Sequence, residues 1–169
     1  MMPGGKASIL VHGSCVNLGQ ACGPFGGDLD AAALLLGDSG SGKSDVALRL
    51  IGMGAKLIAD DQTMLFEESG RLFAGAPANP PNWMEIRRIG LVQVPQGKPS
   101  AVLVAVYLTR DTVPRLPESQ DYRPEGVDLS VTPRLFRLNA FDPSTPAKIA
   151  AAAAALHAGG LMPPDGTFF

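Results

Sequence analysis

The sequence predicts an α/β domain built around a phosphate-binding loop, and three observations carry that expectation. Gly37-Asp38-Ser39-Gly40-Ser41-Gly42-Lys43-Ser44 fits G-x-x-x-x-G-K-[ST]. The loop stands between an apolar run, Ala31 to Leu36, and a segment of helical period, Asp45 to Met53. A second apolar run, Lys56 to Ala59, ends in Asp60-Asp61, and an apolar strand ending in acid is where phosphate-loop proteins place the carboxylate that organises Mg²⁺ or its water.

Length and composition bound the reading. The 169 residues suit one domain with a substantial core, so residues 1–169 are taken as a single domain. Hydrophobic residues make up 46% and charged ones 18%, with a formal charge of -2, which leaves no basic field to recruit nucleic acid. The start, Met1-Met2-Pro3-Gly4-Gly5-Lys6, leads into an apolar stretch too short for a signal-peptide core, and no run is long enough to span a membrane. The expected compartment is therefore the cytoplasm. Cys15 and Cys22 have no further cysteine and no nearby second histidine, so two reduced thiols are expected rather than a disulfide framework or a zinc site.

Taken in order, Ser8 to Val11 and Cys15 to Leu18 read as short strands, with His12-Gly13-Ser14 between them. Gly19 to Asp30 reads as a glycine-rich turn. Ala31 to Leu36 favours helix by composition, yet a continuous apolar run that ends at a glycine loop is a buried central strand. In that loop the glycines at 37, 40 and 42 let successive N–H groups point inward, making a nest for polyphosphate at a helix N-terminus. Lys43 then reaches the β and γ phosphates, and Ser44 offers its hydroxyl to Mg²⁺, a hard cation that takes oxygen ligands. Ala47, Leu50 and Ile51 recur at helical spacing, and Gly52 and Gly54 stop that helix. Lys56 to Ala59 is the next strand. If it stays regular to its end, only one of Asp60 and Asp61 faces the phosphates, and the other is left for a structural hydrogen bond.

Met64 to Phe66 and Arg71 to Ala74 flank Glu67-Glu68-Ser69-Gly70 as a hairpin, and Ala76 to Asn82 is a proline-rich loop. Trp83 to Val92 brings Glu85, Arg87 and Arg88 onto a hydrophobic stretch, which on its own reads as an amphipathic surface helix. Ala101 to Leu108 is an apolar strand, followed by a polar segment that begins at Thr109-Arg110-Asp111 and holds Arg115 between Pro114 and Pro117. Val127 to Val131 and Leu135 to Leu138 read as two short strands, and Ala147 to Ala158 as an alanine-rich helix with a solvated His157 near its end.

Four separated stretches together resemble the HPr kinase/phosphorylase family in its catalytic domain: Val11-His12-Gly13, the loop from Gly37 to Asp45, Leu57-Ile58-Ala59-Asp60-Asp61, and Met84-Glu85-Ile86-Arg87. The resemblance is good from about Ile9 to Val94. It implies a phosphate-loop fold with a mixed central sheet, akin to phosphoenolpyruvate carboxykinase, in a short form with the catalytic domain only. It also implies a kinase that moves the γ-phosphoryl group of ATP to a serine of the phosphocarrier protein HPr, with the reverse, phosphate-dependent reaction in many members. By the same likeness Asp61 is the base for the serine proton, His12 is an active-site histidine, Ser44 and Glu85 are Mg²⁺ ligands, and Arg115 is an active-site arginine. The expected cofactors are ATP and Mg²⁺, and the expected partners are HPr and a nucleotide, with self-association left open. The chain departs from the family where Glu85-Ile86-Arg87 is followed by Arg88-Ile89-Gly90 instead of Gly-Leu-Gly. A small-molecule kinase and a non-catalytic nucleotide sensor are the rival readings of the same loop.

Overall fold

The computed structural model describes residues 7–77 and 82–161. Eleven strands and two α-helices follow one another as β1 (Ser8–His12), β2 (Ser14–Gly19), β3 (Leu29–Leu36), α1 (Lys43–Gly52), β4 (Lys56–Ala59), β5 (Gln62–Glu68), β6 (Arg71–Gly75), β7 (Trp83–Ile86), β8 (Gly90–Gln93), β9 (Ser100–Leu108), β10 (Gln120–Asp121), β11 (Arg134–Leu138) and α2 (Thr145–Ala158). The main path of the large sheet runs β1-β5-β6-β9-β3-β2-β4, and β11 adds to β9 with β10 beside it. The sheet is mixed. β9 is parallel to both β3 and β11, whereas β2 is antiparallel to both β3 and β4.

The apolar run that ends at the phosphate-binding loop is a strand because it is covered on both faces. Ala33 and Leu35 point into one core cluster with α1, α2 and Val16, while Ala32 and Leu34 point into the other with Cys15, Ile58, Leu65 and Leu72. Such two-sided burial suits an unbroken apolar run, since neither face of the pleat is wet. Leu18, Leu34, Leu35 and Leu50 are fully buried, each contributing about 1.5–3 kcal/mol by leaving water. Helix α1 turns Val46, Ala47 and Leu50 to the sheet. Helix α2 starts with a proline in its first turn and buries Ile149, Ala150 and Ala153.

Three sequence expectations need correction, and one strand was not expected. The stretch from Gly19 to Asp30 is not one turn: it holds a short 3-10 helix, Gln20–Phe25, and the first residues of β3. Trp83 to Val92 is not a surface helix but the two-stranded hairpin β7–β8, with Met84 opposite Val92 and Glu85 opposite Leu91. Its residues alternate, Trp83 exposed, Met84 buried and Glu85 exposed, so a period of two and not of 3.6 governs the stretch. Val127 to Val131 forms no strand, because the N–H groups of Ser130 and Val131 both donate to the one carbonyl of Gly70. That leaves only an isolated bridge between Val131 and Arg71. The edge strand Gln120–Asp121, which has no apolar residue to announce it, pairs with β11. The proline-rich loop expected from Ala76 to Asn82 falls partly outside the described residues.

Candidate active site

The sheet collects the marked residues at one end. Because β2 runs against both β3 and β4, its beginning lies beside their ends, with Ser14 opposite Leu35 and Cys15 opposite Ala59. His12-Gly13-Ser14, the loop after β3 and the aspartates after β4 are thereby brought together, although β2 precedes the loop in sequence.

The loop has the backbone a nest requires. Gly37, Gly40 and Gly42 have φ of 143°, 81° and 97°, a region that side-chain-bearing residues rarely adopt. Space forbids a side chain too. A Cβ on Gly37 would stand 2.5 Å from Ser41 Oγ, and one on Gly42 would stand 2.6 Å from Ala140 Cβ. Lys43 is only 7% exposed, and its ammonium donates to the carbonyls of Gly37 at 2.8 Å and Asp38 at 2.9 Å. Ser44 is the second residue of α1, and its hydroxyl donates to Asp60 Oδ1 at 2.8 Å.

Asp60 and Asp61 both line one cleft, and the regular strand that would set them on opposite faces does not reach them. The strand stops at Ala59, and Asp61 takes a left-handed conformation at φ 69°, so the two carboxylates are not forced to opposite faces. Asp60 also accepts the Ser14 hydroxyl at 2.8 Å, while the Asp61 N–H donates to Ser14 Oγ at 3.3 Å. Ser14, unmarked by any motif, thus fixes the bend between the two acids. The Asp61 carboxylate is 72% exposed and stands 3.5 Å from His12 Nδ1.

A cleft of about 590 Å³ joins these groups. It is lined by His12, the loop residues Ser39, Gly40, Gly42, Lys43 and Ser44, Asp45 and Leu48 of α1, Asp60, Asp61, Met84 to Arg87 of the hairpin, and Phe141. Met84, buried, anchors the hairpin, and Glu85 beside it points its position toward the cleft. No ion pair joins Glu85 to Arg87 or Arg88 among the described residues. Arg115 lies exposed in the segment after β9 and is not among the residues lining this cleft. Burial pushes the thiols of Cys15 and Cys22 up, so both remain protonated at neutral pH and neither serves as a nucleophile.

The donor set fits Mg²⁺. Ser44 Oγ and the Asp60 carboxylate are in contact, Glu85 shares their cleft, and all are hard oxygen donors. Among the described residues no group of three or more His, Cys, Asp or Glu side chains gathers to hold a metal alone. Mg²⁺ binds through one or two carboxylates and fills its octahedron with waters and substrate phosphates.

His12 is half-exposed, at 54% of its side chain, so little packing depends on it. Its replacement by alanine is expected to lower turnover severalfold or more through loss of its contact with Asp61. The melting temperature should move by no more than about 2 °C. Equal losses of activity and thermal stability in paired assays would assign His12 to the turn instead.

Comparison with known proteins decides the family. The model of the HPr Serine kinase C-terminal domain matches residues 8–98, a span that holds His12, the phosphate loop, both aspartates and Glu85. The chain belongs to that family. HPr kinase/phosphorylase of Clostridium tetani is 33% identical over 97 residues, covering 56% of this chain and 32% of that protein. The enzyme of the same name from Lactiplantibacillus plantarum is 44% identical over 62 residues, covering 36% of this chain and 20% of that protein. The chain therefore spans a third or less of the length of these relatives. The fold is shared with the Hpr(Ser) kinase/phosphatase from Coxiella burnetii, with a TM-score of 0.67 at 18% identity over 89% of this chain and 90% of that one. This likeness extends well beyond residue 98, to parts of the chain that the family match leaves out.

Proposed function

We propose that this chain, as one catalytic domain, is an ATP-dependent protein serine kinase whose acceptor is the phosphocarrier protein HPr. The observation that carries the reading is that the phosphate loop and the His12–Asp61 pair face one cleft, with the Ser44–Asp60 contact between them. Phosphoryl transfer asks for positioning and charge stabilisation with one group to take a proton, and this cleft offers each. Lys43 and the loop N–H groups hold the phosphates. The acceptor serine Oγ bonds to the γ-phosphorus as the bond to the β-bridging oxygen breaks, and Asp61 receives the serine proton while ADP departs. Mg²⁺, held by Ser44, Glu85 and Asp60, would neutralise charge on the phosphates. Asp61 is exposed enough for a protein-borne serine to reach it. In the reverse direction phosphate attacks phosphoserine, Asp61 returns the proton to the serine and pyrophosphate leaves.

Transfer of label from γ-labelled ATP to a serine of purified HPr tests the proposal. Label appearing on a metabolite instead would indicate a small-molecule kinase, and ATP binding without transfer would indicate a sensor. Glu85 supplies a second check through the metal. An exposed carboxylate acting only by surface ion pairing is worth about 0–1 kcal/mol and leaves the rate nearly untouched. As a metal ligand, Glu85→Gln is expected to raise the Mg²⁺ needed for half-maximal ATP binding and turnover by about 10-fold. An unchanged Mg²⁺ titration removes Glu85 from the metal site.

A further inference from the structure

Phe141 is the only Phe, Tyr or Trp that lines the cleft among the described residues, and it is 52% exposed there. A large aromatic ring left half in water at the rim of a polar site forgoes much of its burial energy, so its position calls for a cause. The turn that carries the ring is held firmly. The Phe141 N–H donates to Asn139 Oδ1 at 2.9 Å. Arg49 of α1 donates to the carbonyls of Ala140 and Asp142 on either side of Phe141. The turn between β11 and α2 is therefore tied to the helix that starts at the phosphate loop. The ring also lies against that loop, with a carbon 3.6 Å from where a Cβ on Gly42 would be. Arg110, which does not line the cleft, places its guanidinium 4.6 Å from the ring centroid.

The order of strands gives the ring its direction. Across the sheet, β11, β9, β3, β2 and β4 follow one another. Phe141 comes after β11, the phosphate loop after β3, and Asp61 after β4, so the loop stands between the ring and the base that takes the proton. A triphosphate seated in the loop with its γ end toward Asp61 directs its other end toward Phe141.

We infer that Phe141 is the stacking platform for the nucleobase of the bound nucleoside triphosphate, carried on a turn that Arg49 and Asn139 hold and backed by the Arg110 guanidinium. The inference rests on the nucleotide-dependent reading above. Stacking reads the plane of a base and not its edges, so the platform alone accepts adenine and guanine alike.

Calorimetric titration of the full chain with Mg-ATP and, separately, with inorganic tripolyphosphate separates the possibilities. Stacking of a base on an aromatic side chain is worth about 5- to 100-fold in affinity, so Phe141→Ala should weaken ATP by that factor. Tripolyphosphate, which has no base, should bind wild type and variant equally. Phe141→Tyr should restore ATP affinity, and Phe141→Leu, which keeps an apolar contact with Gly42, should not. Equal weakening of both ligands overturns the inference, since the ring then acts by shaping the loop. Unchanged ATP affinity in Phe141→Ala also overturns it. Failure of wild type to bind either ligand removes the phosphate-loop reading together with the platform.

Discussion

Lys43→Ala is expected to bring phosphoryl transfer down to about 10⁻² to 10⁻³ of the wild-type rate or below. ATP binding should weaken in parallel. The ammonium is buried at the head of α1 and already converges on two carbonyls of its own loop. A cation held there adds to the positive end of the helix, and both favour the negative charge that grows on the β–γ bridge. Alanine removes that charge from both the bound and the reacting state, so affinity and rate fall together. It also leaves the carbonyls of Gly37 and Asp38 without their donor, which loosens the loop. Calorimetric ATP affinity and initial rates on HPr check this, and wild-type values of both would end the assignment of the loop.

The second large effect is expected at Asp61. A serine hydroxyl is a poor nucleophile until a positioned carboxylate accepts its proton, and help of that kind is worth about 10² to 10⁴ in rate. Asparagine suits this test. Its size matches, and it tolerates the left-handed backbone that Asp61 adopts at φ 69°, so the bend after β4 survives the change. Asp61→Asn should lower turnover by that factor with ATP affinity nearly intact. Asp60 sits differently, accepting the hydroxyls of Ser14 and Ser44, and Asp60→Asn should mainly lower stability or metal affinity. A kinetic and calorimetric comparison of the two variants decides the roles. Loss of turnover in Asp60→Asn alone, with ATP still bound, would exchange them.

What could be read from the sequence was what local pattern encodes. The loop from Gly37 to Ser44 is legible because glycine, lysine and serine at fixed spacing have one common use. The strand from Lys56 to Ala59 is legible because its apolar run stops at acid, and its bounds agree with the structure. The position of β2 between β3 and β4 was hidden, since hydrogen-bonded pairing between distant stretches leaves no periodic trace. The turn into αL at Asp61 was hidden for a related reason. A strand's alternation says nothing about the residue after its last pair, and here the Ser14 hydroxyl sets the bend. The hairpin at Trp83 to Gln93 was misread because four residues of alternation are too few to outweigh a charged, apolar composition. Phe141 carried no signal at all, being one aromatic residue in a polar turn until the sheet sets it beside Gly42.

The pairing of β3 with β9 also fixes when the phosphate-binding loop can take its shape. Leu36, the residue before the loop, is held beside Tyr107, so the strand that presents the loop has no partner on that edge until β9 exists. During synthesis the chain must emerge past Leu108 before the loop has a rigid base, and contacts so far apart in sequence form slowly. A protein truncated after residue 98 keeps every residue of the family match yet lacks this strand. Such a fragment should show no cooperative melting and no protection of Leu34 or Leu35 amides from hydrogen exchange, because the inheritance unit recognised by sequence is smaller than the unit that folds.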